Sequence, residues 1–178
     1  VAAGDAAAEN RAALVALMLY VQGVDVARLL DEPADADQRP KARSLRLRGR
    51  ADLAQHFVIS AGIAAAGGGR LADAVGLFKE LDDSRVGSGF SFADLAADRA
   101  GVRFAEAATG PRAAQVQGML ADGADEALFM PAVKGLPEFT SEAEFERQFG
   151  AVGTPRYRQV ADEIERRIAA LPLHADAK

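Results

Sequence analysis

The sequence predicts an all-α fold, a compact multi-helix domain of about six to eight helices, on three observations. Apolar residues recur three and four positions apart in several stretches, no stretch alternates apolar and polar residues for the length of a strand, and helix-start residues precede the periodic runs. With 178 residues the chain is long enough to close one core. A single domain is expected, made of N-terminal helices with a basic loop (1–49), a three-helix centre (50–107) and a C-terminal helical segment (108–178).

The start VAAGDAAA reads as disordered. Leu14, Leu17, Met18 and Val21, then Val26, Leu29 and Leu30, predict two short helices interrupted near Gly23. The polar stretch EPADADQRPKARSLRLRGR follows, and in it Arg39, Lys41, Arg43, Arg46, Arg48 and Arg50 make the one concentrated basic patch. Such a run is either a solvated loop or an anchor for phosphate, anionic lipid or an acidic partner. Leu53, Phe57, Ile59, Ile63 and Ala64 predict a helix over Ala51–Ala66, which Gly67 to Gly69 stop. Val75, Leu77, Phe78 and Leu81 predict another over about Leu71–Asp83. The turn SRVGSG follows it, too short and without the lysine of a phosphate loop.

Ser91 then opens a helix through about Ala107, with Asp94 at capping-box spacing and Phe90 and Phe92 as a hydrophobic staple. PRAAQVQGMLADGADEALF reads as one or two short helices and MPAVKGLPEFT as an irregular connection. SEAEFERQFG carries a second capping box, Ser141 with Glu144. TPRYRQVADEIERRIAAL has an N-cap at Thr154, a first-turn Pro155, and Ile164 and Ile168 four apart, with Pro172 beyond. His174 falls in what reads as a frayed tail.

Composition excludes several functions. A net charge of -5 and a pI near 5.1 leave no global footprint for nucleic acid. The absence of cysteine removes disulfides, thiolate metal sites, cysteine nucleophiles and lipid attachment through cysteine. The longest apolar run, Ala12 to Val21, is about half of the ~20 residues that a bilayer span needs, so no transmembrane segment is expected. The chain opens at Val1, and processing of a leader is the expectation.

The chemistry-bearing residues gather in the centre. Asp52, His56 and Ser60 are four apart and share one helix face, where an Asp one turn from a His can accept its ring proton. Asp94 and Asp98 are also four apart, an arrangement that repels unless something positive lies between. Glu80 and Asp83 stand near a helix C-terminus, where the macrodipole disfavours anions. Candidate positive partners are His56, Lys79, Arg85, Arg99 or a bound cation. One imidazole with two or three carboxylates suits a divalent metal able to activate water. Without a metal, His56 with Asp52 would be a general base and Ser60 or Ser88 a nucleophile.

ADLAQHFVISA, then KELDDSR, then GSGFSFADLAADRAG resembles the YfiM-like family of small bacterial envelope lipoproteins, and more distantly the VanZ-like membrane family. The likeness spans about residues 50–104, under a third of the chain. It carries Asp52, His56, Phe57, Lys79, Glu80, Asp83, Ser84, Ser88, Gly89, Asp94, Asp98 and Gly101 onto family positions. Leu53 replaces the family's lysine, and the lipoprotein cysteine is missing. The resemblance implies a periplasmic or envelope-associated bacterial protein with a shared polar site at His56, Glu80, Asp94 and Asp98, and it names no reaction. Two functions are expected from residues and resemblance together. One is a hydrolase on a cell-wall or lipid-linked substrate, with His56, Glu80 and Asp98 catalytic, the same residues and Asp94 holding a metal, and Asp52, Ser60, Asp83, Arg85 and Ser88 binding. The other is a non-catalytic envelope interaction module in which these residues form a structural network. An envelope component or a small anionic ligand is the expected partner. Solvent access separates the two, since a reacting site needs a cleft and a structural network is closed and satisfied.

Overall fold

The computed structural model of the chain describes residues 4–24, 43–67, 89–123 and 125–175. Among the described residues there are six α-helices: α1 (Ala6–Val21), α2 (Ala51–Gly67), α3 (Phe92–Thr109), α4 (Ala113–Ala121), α5 (Glu142–Phe149) and α6 (Pro155–Ala169). Two single 3-10 turns (Glu126–Leu128 and Pro172–His174) complete the regular structure, and two isolated bridges are the only β pairing among these residues. The fold is all-α, as expected. No described helix is long and apolar enough to cross a membrane.

Three expected helix starts hold at atomic detail. The Ser91 hydroxyl accepts from the Asp94 amide, Ser141 from Glu144 and Thr154 from Tyr157, each supplying one of the acceptors that a helix start lacks. Two expectations at the chain ends are corrected. The Asp5 carboxylate accepts from the Ala7 and Ala8 amides, so helix begins at Ala6, inside the stretch that composition alone made disordered. His174 lies in a 3-10 turn and not in a frayed tail, because Leu171 and Leu173 just before it are buried. The helix expected over Leu71–Asp83, and the apolar stretch at Val26 to Leu30, lie outside the described residues.

Helices α2 and α3 are central. Both are buried on most sides, which explains why their sequences are rich in alanine: a thin helix can have neighbours all round. Contacts advance in the same sense along the two, Arg50 to Asp94, Ser60 to Asp98 and Ala61 to Gly101, so they run parallel. Their backbones meet at Gly101, where an added Cβ would fall on the Phe57 carbonyl and lie 3.1 Å from the Ala61 nitrogen. Helix α1 packs on α2, with Met18 lying over Gly62. It is tied to α3 and α4 by the Asn10 amide, which donates to the carbonyls of Ala108 (2.7 Å) and Ala113 (3.2 Å).

Two aromatic clusters close the ends. Phe57, Phe104 and Phe129 stack with centroids 5.4 to 5.6 Å apart. Phe90, Phe92, Phe145, Phe149 and Tyr157 form the larger one, so Phe90 and Phe92 do more than staple a helix start: they seat α5 and α6 against α3. Fully burying each Phe contributes about 1.5–3 kcal/mol. The same cluster fixes the irregular segment before α5, because Phe90 and Thr140 exchange backbone hydrogen bonds (2.7 and 3.0 Å) and the Phe92 amide donates to Pro137.

Opposite effects are expected at two helical glycines. Gly101→Ala drives a methyl into backbone and should lower stability by about 1–3 kcal/mol. Gly118→Ala in α4 meets nothing within 4 Å and should raise it by about 0.5–1 kcal/mol. Urea midpoints of the two variants beside the wild type measure both.

Candidate functional site

The parallel run of α2 beside α3 brings two i, i+4 ladders face to face. Asp98 of α3 is the hub. Its Oδ1 accepts from the Ser60 hydroxyl at 2.6 Å, and both its oxygens lie 3.2 Å from His56 Nδ1, which places the ring proton on that nitrogen. On the other edge of the ring, Nε2 lies 3.8 Å from Asp94 Oδ2. Ser60, Asp98 and His56 retain 3%, 4% and 9% of their accessible surface, so this end of the seam is dry.

Toward solvent the seam ends on Arg50. Its guanidinium forks onto Asp52 (3.1 and 2.6 Å), reaches Glu138 at 2.6 Å and Asp94 at 3.5 Å, and lies over the ring of Phe139. Phe139 is 61% exposed and takes φ 56, a left-handed conformation unusual for a residue with a side chain. Gly89, at φ 78, allows the approach, since any Cβ there would meet the Phe139 backbone. The pairing of Phe90 with Thr140 is what carries Glu138 and Phe139 to this rim.

Charge follows the geometry. The Arg50 guanidinium holds the Asp52 carboxyl below its usual range, and Asp52 and Glu138 hold Arg50 protonated above its own. Asp94 moves the other way: burial and the Asp52 charge push its carboxyl up, opposed by His56 and Arg50.

Expected site residues thus divide into three groups. His56, Ser60, Asp94 and Asp98 come together. Asp52 does not take the ring proton of His56, as its spacing suggested; a neighbouring arginine two residues away claims both its oxygens, and Asp98 takes its place at Nδ1. Glu80, Asp83, Arg85 and Ser88, with Lys79 and Ser84, lie outside the described residues. The Ser60 hydroxyl donates to Asp98. Among the described residues no group of three or more His, Cys, Asp or Glu side chains is placed to hold a metal. The reason is visible in the seam: the imidazole stands between the two carboxylates and does not share one point with them.

The basic patch is partly spent on internal structure. Arg48 donates from its backbone amide to Glu126 (2.8 Å) and from its side chain to the carbonyls of Pro131 and Met130, while Arg50 joins the seam. Arg43 and Arg46 are exposed; Arg39 and Lys41 lie outside the described residues. Glu138 and Phe139 were missed by sequence reasoning, since nothing in an irregular segment far along the chain marks it as the partner of Arg50.

The chain matches no family model, no curated protein and no solved structure. The likeness of residues 50–104 to the YfiM-like and VanZ-like patterns therefore rests on those residues themselves.

The two rim carboxylates should titrate on opposite sides of the ordinary value of 3.8, Asp94 above and Asp52 below. The fold favours the neutral Asp94 carboxyl, so its contribution is full below 3.8 and is lost as pH rises through its folded pKa. That of Asp52 is present above 3.8 and lost as pH falls through its own. Side-chain carboxyl ¹³C shifts, followed from pH 7 to 2.5 and assigned with Asp94→Asn, check both signs.

Proposed function

We propose that the chain is a non-catalytic interaction module of the bacterial cell envelope, in which His56, Ser60, Asp94 and Asp98 are a structural polar seam that holds α2 and α3 in one register. The envelope location rests on the resemblance of residues 50–104. The seam's role rests on one observation: Ser60 and His56 both donate to Asp98, and all three retain less than a tenth of their surface. Buried polar groups that satisfy one another in this way specify a unique packing, because sliding either helix by one turn would leave a carboxylate unpaired in a dry seam. The partner is an envelope component or a small anionic ligand, which the exposed Arg43 and Arg46 would receive.

A second reading has its own support. An imidazole held at Nδ1 by a buried carboxylate is oriented as general bases are, and the raised carboxyl of Asp94 beside Nε2 would serve as its acid partner. In this reading the domain is a hydrolase on a cell-wall or lipid-linked substrate, with His56, Glu80 and Asp98 catalytic. A divalent metal held by His56, Glu80, Asp94 and Asp98 belongs to this reading too.

Metal content and melting temperature of the wild type, Asp98→Asn and His56→Ala, with and without chelator, separate the two. The structural seam predicts no stoichiometric metal, no response to chelator, and a loss of about 1–3 kcal/mol in each variant. Stoichiometric metal in the wild type that both folded variants lose would overturn it in favour of the hydrolase.

A further inference from the structure

The second histidine lies apart from the seam, and its surroundings oppose a positive charge. His174 ends the 3-10 turn Pro172–His174, and its amide donates to the Leu171 carbonyl at 2.9 Å. Leu171 and Leu173, which precede it, are buried, while Arg112 donates to the Ala175 carbonyl at 3.4 Å. The turn packs on α3 and on the 3-10 turn Glu126–Leu128. Within this docked arrangement Nε2 is shielded from solvent and has no protein hydrogen-bond partner.

A neutral imidazole bears that loss as one unmade hydrogen bond, whereas an imidazolium must bury a proton and a charge together. The charged groups around it compound the cost. Arg103 of α3 and Arg112 before α4 both disfavour a second cation, and Glu106 of α3, which favours one, is engaged by Arg103 at 3.3 Å. From the neighbouring elements, Glu126 is taken by Arg48 and Glu165 of α6 by Arg99 and Arg103.

We propose that the C-terminal turn around His174 is a pH-sensitive latch, docked on α3 while the imidazole is neutral and released when it is protonated. Release uncovers the apolar surface that Leu171 and Leu173 occupy. Burial first, then Arg103 and Arg112, hold the imidazole below its ordinary 6.5. Docking is therefore at full strength above about pH 6.5 and weakens as pH falls from there toward the docked-state value.

The chain has two histidines, so their imidazole proton resonances can be followed separately and assigned with His174→Gln. Amide exchange at Leu173 to Ala175, with intrinsic rates divided out, reads the opening directly between pH 7.5 and 5. The latch predicts a His174 midpoint below 6.5 and an opening that grows toward pH 5, by at most about thirty-fold given a free imidazole near 6.5. It also predicts no such growth in His174→Gln, and continued protection of α3 and α6. Leu173→Ala should open the turn at every pH while keeping the pH slope. A midpoint at or above 6.5, an opening that ignores pH, or the same slope in His174→Gln would overturn the proposal.

Discussion

The contact of α2 with α3 at Gly101 is the constraint on which the rest depends. A glycine facing the Phe57 carbonyl brings two parallel helices together backbone to backbone, with alanines above and below it. At that separation there is no room for water or for large side chains between the helices. Any polar residue that faces the seam must find its partner across it. Asp98 lies three residues before Gly101 on α3 and Ser60 one residue before Ala61 on α2, so the closest approach and the buried hub are neighbours.

From that point the seam grades from dry to wet. Ser60 and Asp98 are innermost, His56 bridges, Asp94 is next, and Arg50 with Asp52 and Glu138 forms the rim. The imidazole of His56 stands between Asp98 and Asp94, and the Arg50 guanidinium lies on the far side of Asp94, which is how two carboxylates on one helix coexist four residues apart. The gradient in burial explains the divergence of the carboxyls: a solvated aspartate in the fork of an arginine stays ionised, while one a turn further in is pushed toward neutrality. One geometry thus supports both the structural and the acid–base reading, and they differ in whether anything reaches Asp94 and Nε2.

Most helices were legible because their signals are local. Ser91, Ser141 and Thr154 each act within three residues, and the i, i+4 rows that put His56 with Ser60 and Asp94 with Asp98 follow from helix pitch alone. Asp52 shows the limit of such reasoning. Spacing permitted it to serve His56, but Arg50 competes from two residues away with a bidentate fork that an imidazole cannot match. Arg48 shows another: in sequence it belongs to a basic patch, and in the structure its backbone amide and its guanidinium both bond the segment 126–131. Glu138 and Phe139 carry no local signal at all, and a bridge between Phe90 and Thr140 delivers them. His174 looked like a tail residue because the burial of Leu171 and Leu173 depends on surface supplied by α3 and the turn at Glu126–Leu128.

What the sequence by itself determined was the helical class, the caps and which polar residues share a helix face, because hydrogen bonds within a turn and a period of 3.6 need no distant partner. Which face meets which, and hence that Asp98 and not Asp52 holds His56, was decided by tertiary structure. That choice follows from the parallel packing at Gly101, since only a contact between residues far apart in the chain can set the register of one helix against another.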